Sequence, residues 1–186
     1  MGYLDNIKRA PSEGASGSSN YMKFNQGENK FRIIGTPDDK GFINGMLGWA
    51  DSEDGKRKPY RWRIGVEAPR KFEEKPKEFF AIKVYNYETA SVQILEITQR
   101  GLKDDLTSYI ADEEWGDPRK YDIAVIKSGE GLETRYAMVP KPHKKMSAEQ
   151  ITAIKESSIN LEALYDGADP FEPVADEPAG EEEDPF

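Results

Sequence analysis

With 186 residues, the chain has room for one ordinary domain plus tails. Its hydrophobic content of 37% is low and its charged content of 33% high, so part of it is expected to stay unfolded. The absence of cysteine and the single histidine, His143, exclude disulfides, thiolate metal sites and catalysis by several imidazoles, and neither a metal nor another cofactor is expected.

The formal charge of −9 is unevenly placed. Nine acids and no base follow Tyr165, so residues 1–165 balance at 26 acids and 26 bases. The acidity belongs to the tail, and the body keeps its capacity to bind a polyanion. No apolar run approaches a membrane span and no signal-peptide core opens the chain, which points to a soluble, cytoplasmic protein.

Taken in order, residues 1–20 end in SEGASGSSN and read as a flexible arm carrying Lys8 and Arg9. KFRIIG and FINGMLGWA read as two strands, the second weakened by its glycines. PYRWRI alternates Tyr60, Trp62 and Ile64 with Arg61 and Arg63, as a strand would. VEAPRKFEEKPK contains two prolines and no period, and reads as a long basic loop. EFFAIKVYNY and SVQILEIT form the clearest hairpin, turning at Glu88-Thr89-Ala90. A helix follows, with Thr98 as its cap and Leu102, Leu106, Tyr109 and Ile110 as its apolar stripe. YDIAVIKS and LETRYAMVP make a second hairpin around Gly129-Glu130-Gly131. Ser147 and Gln150 form a capping box at the start of a short helix, and NLEALY adds a turn. From Asp166 the chain is acidic and Pro-rich, and is expected to be disordered.

Broken strand, basic loop, hairpin, helix, hairpin is the order of an OB-fold, a mainly β barrel with one or two short helices. The domain is expected over residues 21–146, a helical segment over 147–165 and a tail over 166–186. The segment Lys56–Tyr87 carries ten Lys or Arg against four Glu, and seven of the chain's twenty aromatics. Cations interleaved with rings suit a single-stranded nucleic acid, whose phosphates need positive charge and whose bases need a flat apolar face. In the first strand of the clear hairpin, Phe80, Ile82 and Val84 are expected to face a core. Phe79, Lys83, Tyr85 and Tyr87 are expected to face solvent, where bases stack. In an OB-fold the ligand crosses this hairpin between the first long loop and the loop of the last hairpin.

The last six residues, Glu181, Glu182, Glu183, Asp184, Pro185 and Phe186, end the chain on an aromatic beside a carboxylate, after a run of acids. Asp169-Pro170-Phe171 repeats the closing tripeptide. The tip resembles the acidic, Pro-Phe-ending tip through which bacterial single-stranded-DNA-binding proteins recruit replication and repair enzymes. WGDPRKYDIAVIKSGEGLETRYAMVPKP and FFAIKVYNYETASVQILEITQ resemble the OB-fold core of single-stranded-DNA-binding proteins of tailed bacteriophages. That resemblance covers roughly residues 20–145 plus the tip. The zinc ligands of some phage relatives are absent.

The resemblance implies sequence-independent binding of single-stranded DNA in replication, recombination and repair, no enzymatic activity, and partner recruitment through the tip. It also implies cooperative self-association on DNA through the arm. The family's contacts are aromatic and basic residues of the barrel face, which here match Arg61, Trp62, Arg63, Lys83, Tyr85 and Tyr87. Lys56, Arg57, Lys58, Arg70 and Lys71 enter from charge alone, and Phe79 from its place on the expected face. The alternative is an acidic interaction protein that mimics nucleic acid toward a host enzyme. A nuclease built on Asp38-Asp39, Asp104-Asp105 or Asp112-Glu113-Glu114 is disfavoured, because these acids sit in a turn or on the solvent side of a helix.

Overall fold

The computed structural model describes residues 20–172 and Phe186. The expected N-terminal arm, apart from Asn20, and most of the acidic tail lie outside the described residues. The elements are β1 (Gly27–Ile33), β2 (Phe42–Asp51), β3 (Arg57–Trp62), β4 (Lys77–Asn86), β5 (Ser91–Ile97), α1 (Arg100–Ala111), β6 (Tyr121–Ser128), β7 (Arg135–His143) and α2 (Ala148–Glu156). Single 3-10 turns occur at Pro118–Lys120, Gly131–Glu133 and Leu161–Asp166.

β4 is the axis of the sheet. β1 lies against its C-terminal half, with Phe31 opposite Asn86, and β2 against its N-terminal half, with Phe42 opposite Ile82. Both run antiparallel to β4, so β1 and β2 form one long strand interrupted at residues 34–41. β5 takes the other edge of β4, β3 extends the sheet beyond β2, and β6 with β7 extends it beyond β1. The result is a mainly β, OB-like fold, as the sequence order suggests. The β2–β3 hairpin elaborates the first long loop, and the curved sheet is left open between β5 and β7 among the described residues. Asn20–Met22 runs beside β5, where the amide of Ile94 donates to the carbonyl of Asn20 and that of Met22 to the carbonyl of Ile94.

The inner face behaves as period two requires. Phe31, Ile33, Ile82, Val84, Leu95 and Ile123 are fully buried or nearly so, and α1 adds Leu102 and Leu106. Ile110 does not join them and stays 37% exposed. The cap of α1 is Gln99 rather than Thr98, and it makes no side-chain capping bond. The capping box of α2 is present as expected: Ser147 Oγ accepts from the Gln150 amide, and Gln150 Oε1 from the Ser147 amide.

A guanidinium is buried against the outer face of the sheet. Arg32 is wholly buried; its Nε donates to Asp122 Oδ1 at 2.7 Å, Nη1 to the Arg119 carbonyl at 2.9 Å and Nη2 to the Lys144 carbonyl at 2.7 Å. Asp122 also accepts the Tyr87 hydroxyl at 2.6 Å. Burial and this carboxylate push the Tyr87 phenol well above its ordinary pKa.

Chain past β7 returns over the outer face of the sheet. Ile159, Leu161 and Leu164 pack on Ile43, Phe79, Ala81 and Ile94. Ile151 and Ile154 of α2 pack near Ile34, Tyr85 and Met146, and Phe186 packs on the same cluster. The body also extends past the expected boundary at Asp166. Pro170 is buried, its carbonyl accepts from the Asn160 amide at 2.8 Å, and the Phe171 ring meets Tyr21 edge-on at 5.8 Å. Composition marks 166–172 as tail, but a proline and a phenylalanine suffice to seat it.

Removing one member of a buried ion pair leaves a charge without compensation, at a cost of about 3–5 kcal/mol. Asp122→Ala should therefore lower folding stability by about that amount in urea denaturation. A loss below about 1 kcal/mol would show that Arg32 finds its compensation elsewhere.

Candidate nucleic-acid interface

The outer face that the sequence assigns to a ligand is real, but half of it is filled by the chain itself. Phe79 has no exposed surface and Tyr85 is 5% exposed, so neither presents a ring to solvent. The reason is the covering layer of residues 146–164, whose apolar side chains need that surface. Tyr87 is half-buried, with its hydroxyl tied to Asp122, Lys30 Nζ 4.4 Å from its ring centroid and Tyr85 edge-on at 5.3 Å. Lys83 is half-buried; desolvation lowers its pKa, partly opposed by Asp39. These four positions form a packed wall and not a stacking platform.

The rest of the same face is open. Residues 43, 45, 47 and 49 of β2 share one side of the sheet with 77 and 79 of β4, 94 and 96 of β5, and 57, 59 and 61 of β3. The cover reaches Ile43, Leu47, Phe79 and Ile94, and leaves Leu47 only 6% exposed at its edge. Beyond it lies a groove of about 520 Å³ whose walls include Leu47, Trp49, Arg57, Lys75, Lys77 and Glu96, with Glu74 and Thr98 beside them. Trp49 is 42% exposed and is flanked by the polar groups of this groove.

The electrostatics of the groove are ordered by two ion pairs. Arg61 Nε bonds Glu96 Oε2 at 2.8 Å with both side chains mostly buried, and Arg57 Nη2 lies 3.1 Å from Glu74 Oε2. Lys75 and Lys77 make no ion pair among the described residues and are exposed. The groove thus offers one partly exposed indole and two ammonium groups without an ion pair among the described residues.

The opposite side of the β2–β3 hairpin has a different role. Phe72, from the basic loop, stacks flat on Trp62 at 5.3 Å and 7° and approaches Tyr60 at 5.9 Å. It lies directly over Gly48, where a Cβ would stand 2.8 Å from the ring. The glycines that weaken β2 by propensity are thus what let the loop pack onto it. Trp62 is therefore a packing residue. Arg63 lies 4.3 Å from the Tyr165 ring and 3.6 Å from Glu162. Arg70 donates to the Asp51 carbonyl at 3.1 Å and stands 5.6 Å from the Tyr60 ring, and Lys58 pairs with Asp54 at 3.6 Å. Lys56 and Lys71 are exposed.

Of the residues expected to bind, the structure places Arg57 in the open groove and keeps Arg61 as its brace. Lys56, Lys58, Arg63, Arg70 and Lys71 ring the hairpin outside it, and Trp62, Phe79, Lys83, Tyr85 and Tyr87 are packed or half-buried. Sequence reasoning misses Trp49, although the period-two register of FINGMLGWA puts it on the side of Leu47. The loop of the last hairpin sits far from the groove. Gln26, at the start of β1, donates to the Gly129 carbonyl at 2.7 Å, at the end of the sheet opposite Lys77. Of the tip residues, Glu181, Glu182, Glu183, Asp184 and Pro185 lie outside the described residues. Among the paired acids, Asp39 and Asp112 accept backbone amides in turns.

Comparison with protein-family models, with curated proteins and with solved structures finds no match to this chain. No helix among the described residues is long and apolar enough to cross a membrane.

The three tryptophans differ in environment: Trp49 is exposed, Trp62 is sandwiched against Phe72, and Trp115 is packed beside Tyr121. Iodide should therefore quench a fraction of the emission that disappears in Trp49→Phe. Unchanged quenching in that variant would mean the groove is closed in solution.

Proposed function

We propose that this chain binds single-stranded DNA without strict sequence preference, as a protein of replication, recombination and repair, and that its acidic tip recruits partner proteins. The observation that carries the reading is the exposed indole of Trp49 beside Arg57, Lys75 and Lys77, on the open half of the outer face of an OB-like sheet. The chemistry is non-covalent. A base stacks on the indole, contributing about 1–3 kcal/mol, while the lysines replace counterions on the flanking phosphates. The resemblance of the core and of the Pro-Phe tip to single-stranded-DNA-binding proteins supports the same reading. The nine acids after Tyr165 favour one alternative, a nucleic-acid mimic that binds a host enzyme, and such a protein would not bind the strand itself.

Titration with oligo(dT), followed by tryptophan emission, separates the two. With Arg57, Lys75 and Lys77 engaged, log K should fall with log[salt] at a slope near −2, about 0.7 per contact. Trp49→Ala should cost roughly 1–3 kcal/mol at unchanged slope, because stacking releases no ions. Absence of binding at low salt would leave the mimic as the better reading. For the tip, a chain ending at Pro185 should keep its DNA affinity and lose captured replication or repair proteins in a pull-down. Equal capture would remove recruitment from the account.

A further inference from the structure

The open groove holds, besides cations and an indole, a carboxylate that phosphate binding does not require. Glu96 lies on β5 opposite Ala81, on the same side of the sheet as Lys77 and Trp49, and lines the groove with Thr98. Its side chain is mostly buried and its Oε2 accepts Arg61 Nε at 2.8 Å. A carboxylate offers about four lone-pair sites over two oxygens, so one charged donor leaves most of its acceptor capacity unused. Arg61 is packed over Phe79, 5.8 Å from the ring centroid, and fixes the carboxylate in place. The groove, about 520 Å³, falls within the size range of small-ligand sites.

We infer that Glu96 gives this groove a preference for guanine among the bases of a bound strand; the inference rests on the single-stranded-DNA reading above. Guanine alone presents two adjacent donors, N1–H and the N2 amino group, which match the two oxygens of a fixed carboxylate. Adenine and cytosine offer one amino group next to a ring-nitrogen acceptor, which the carboxylate repels. Thymine offers N3–H between two carbonyls, which repel it on both sides. The Thr98 hydroxyl, on the same wall, is able to donate to guanine O6. Stacking on Trp49 is indifferent to base identity, so the carboxylate adds a graded preference to sequence-tolerant binding.

The test uses the full chain and oligo(dT) of roughly a dozen nucleotides, within the site sizes of OB-folds. One central thymidine is replaced by deoxyguanosine, by deoxyinosine, which lacks only the N2 amino group, or by deoxyadenosine. The guanosine strand should bind roughly tenfold more tightly than the inosine strand, the effect of one hydrogen bond to a charged group. In Glu96→Gln that ratio should fall toward one. Equal affinities for guanosine and inosine, or an unchanged ratio in Glu96→Gln, would overturn the guanine preference and leave DNA binding standing. Failure of every strand to bind would overturn both. The inosine comparison alters the ligand alone, so it decides the matter even if Glu96→Gln perturbs Arg61 and the fold.

Discussion

Much of this molecule depends on one buried cation. Arg32 sits on β1 with its side chain directed into the wall beneath the returning chain, where an unpaired guanidinium would be prohibitively costly. Asp122 compensates the charge, and the carbonyls of Arg119 and Lys144 each accept one further donor. These three bonds join β1 to β6, to the turn before β6 and to the chain just ahead of α2. They fix the point from which the C-terminal segment departs. Asp122 in turn holds the Tyr87 hydroxyl, so a ring that would otherwise be free to swing outward is locked into the wall.

The position of that departure decides what the outer face can do. Ile159, together with Leu161 and Leu164 of the Leu161–Asp166 turn, covers the middle of the β5–β4–β2 face, and the chain that follows seats Phe171 against Tyr21 at the border of the same cluster. One end of the face becomes a second apolar layer, and the other, with Trp49, stays open. A basic loop that folds back on the hairpin through Phe72 keeps Lys75 next to the open end. Burial, and not composition, divides the aromatics of this chain into those that hold the fold and those left exposed.

The sheet was legible because its signals are local. Alternation in β4, β5 and β6, the turn after Asn86, the stripe of α1 and the capping box of α2 each depend on residues close in sequence, and they agree with one another. The site was less legible because exposure of Phe79 and Tyr85 depends on residues some 70 positions later, whose own pattern reads only as a short helix and a turn. Period two correctly separates Phe79 and Tyr85 from Ile82 and Val84, yet it cannot say that both sides of a strand are covered. Trp49 was hidden by the opposite effect. Gly45 and Gly48 lower the strand propensity of β2, although both are there to admit neighbouring rings, those of Phe79 and Tyr165 at Gly45 and that of Phe72 at Gly48. The tail boundary moved for a similar reason, since a short acidic stretch is seated by Pro170 and Phe171 and by the amide of Ala168, which donates to the Ala163 carbonyl.

The central claim is that the ligand strand lies on the open half of the face and not on the covered half. Photo-crosslinking tests it directly: the full chain is irradiated with oligo(dT) in which bromodeoxyuridine replaces thymidine, and the attached residue is identified by mass spectrometry of the peptides. The account predicts adducts on Trp49 and its neighbours in β2, with none on β4 beyond Phe79. Adducts on Tyr85 or Tyr87 would contradict it, since they would require the strand to displace α2 from the sheet.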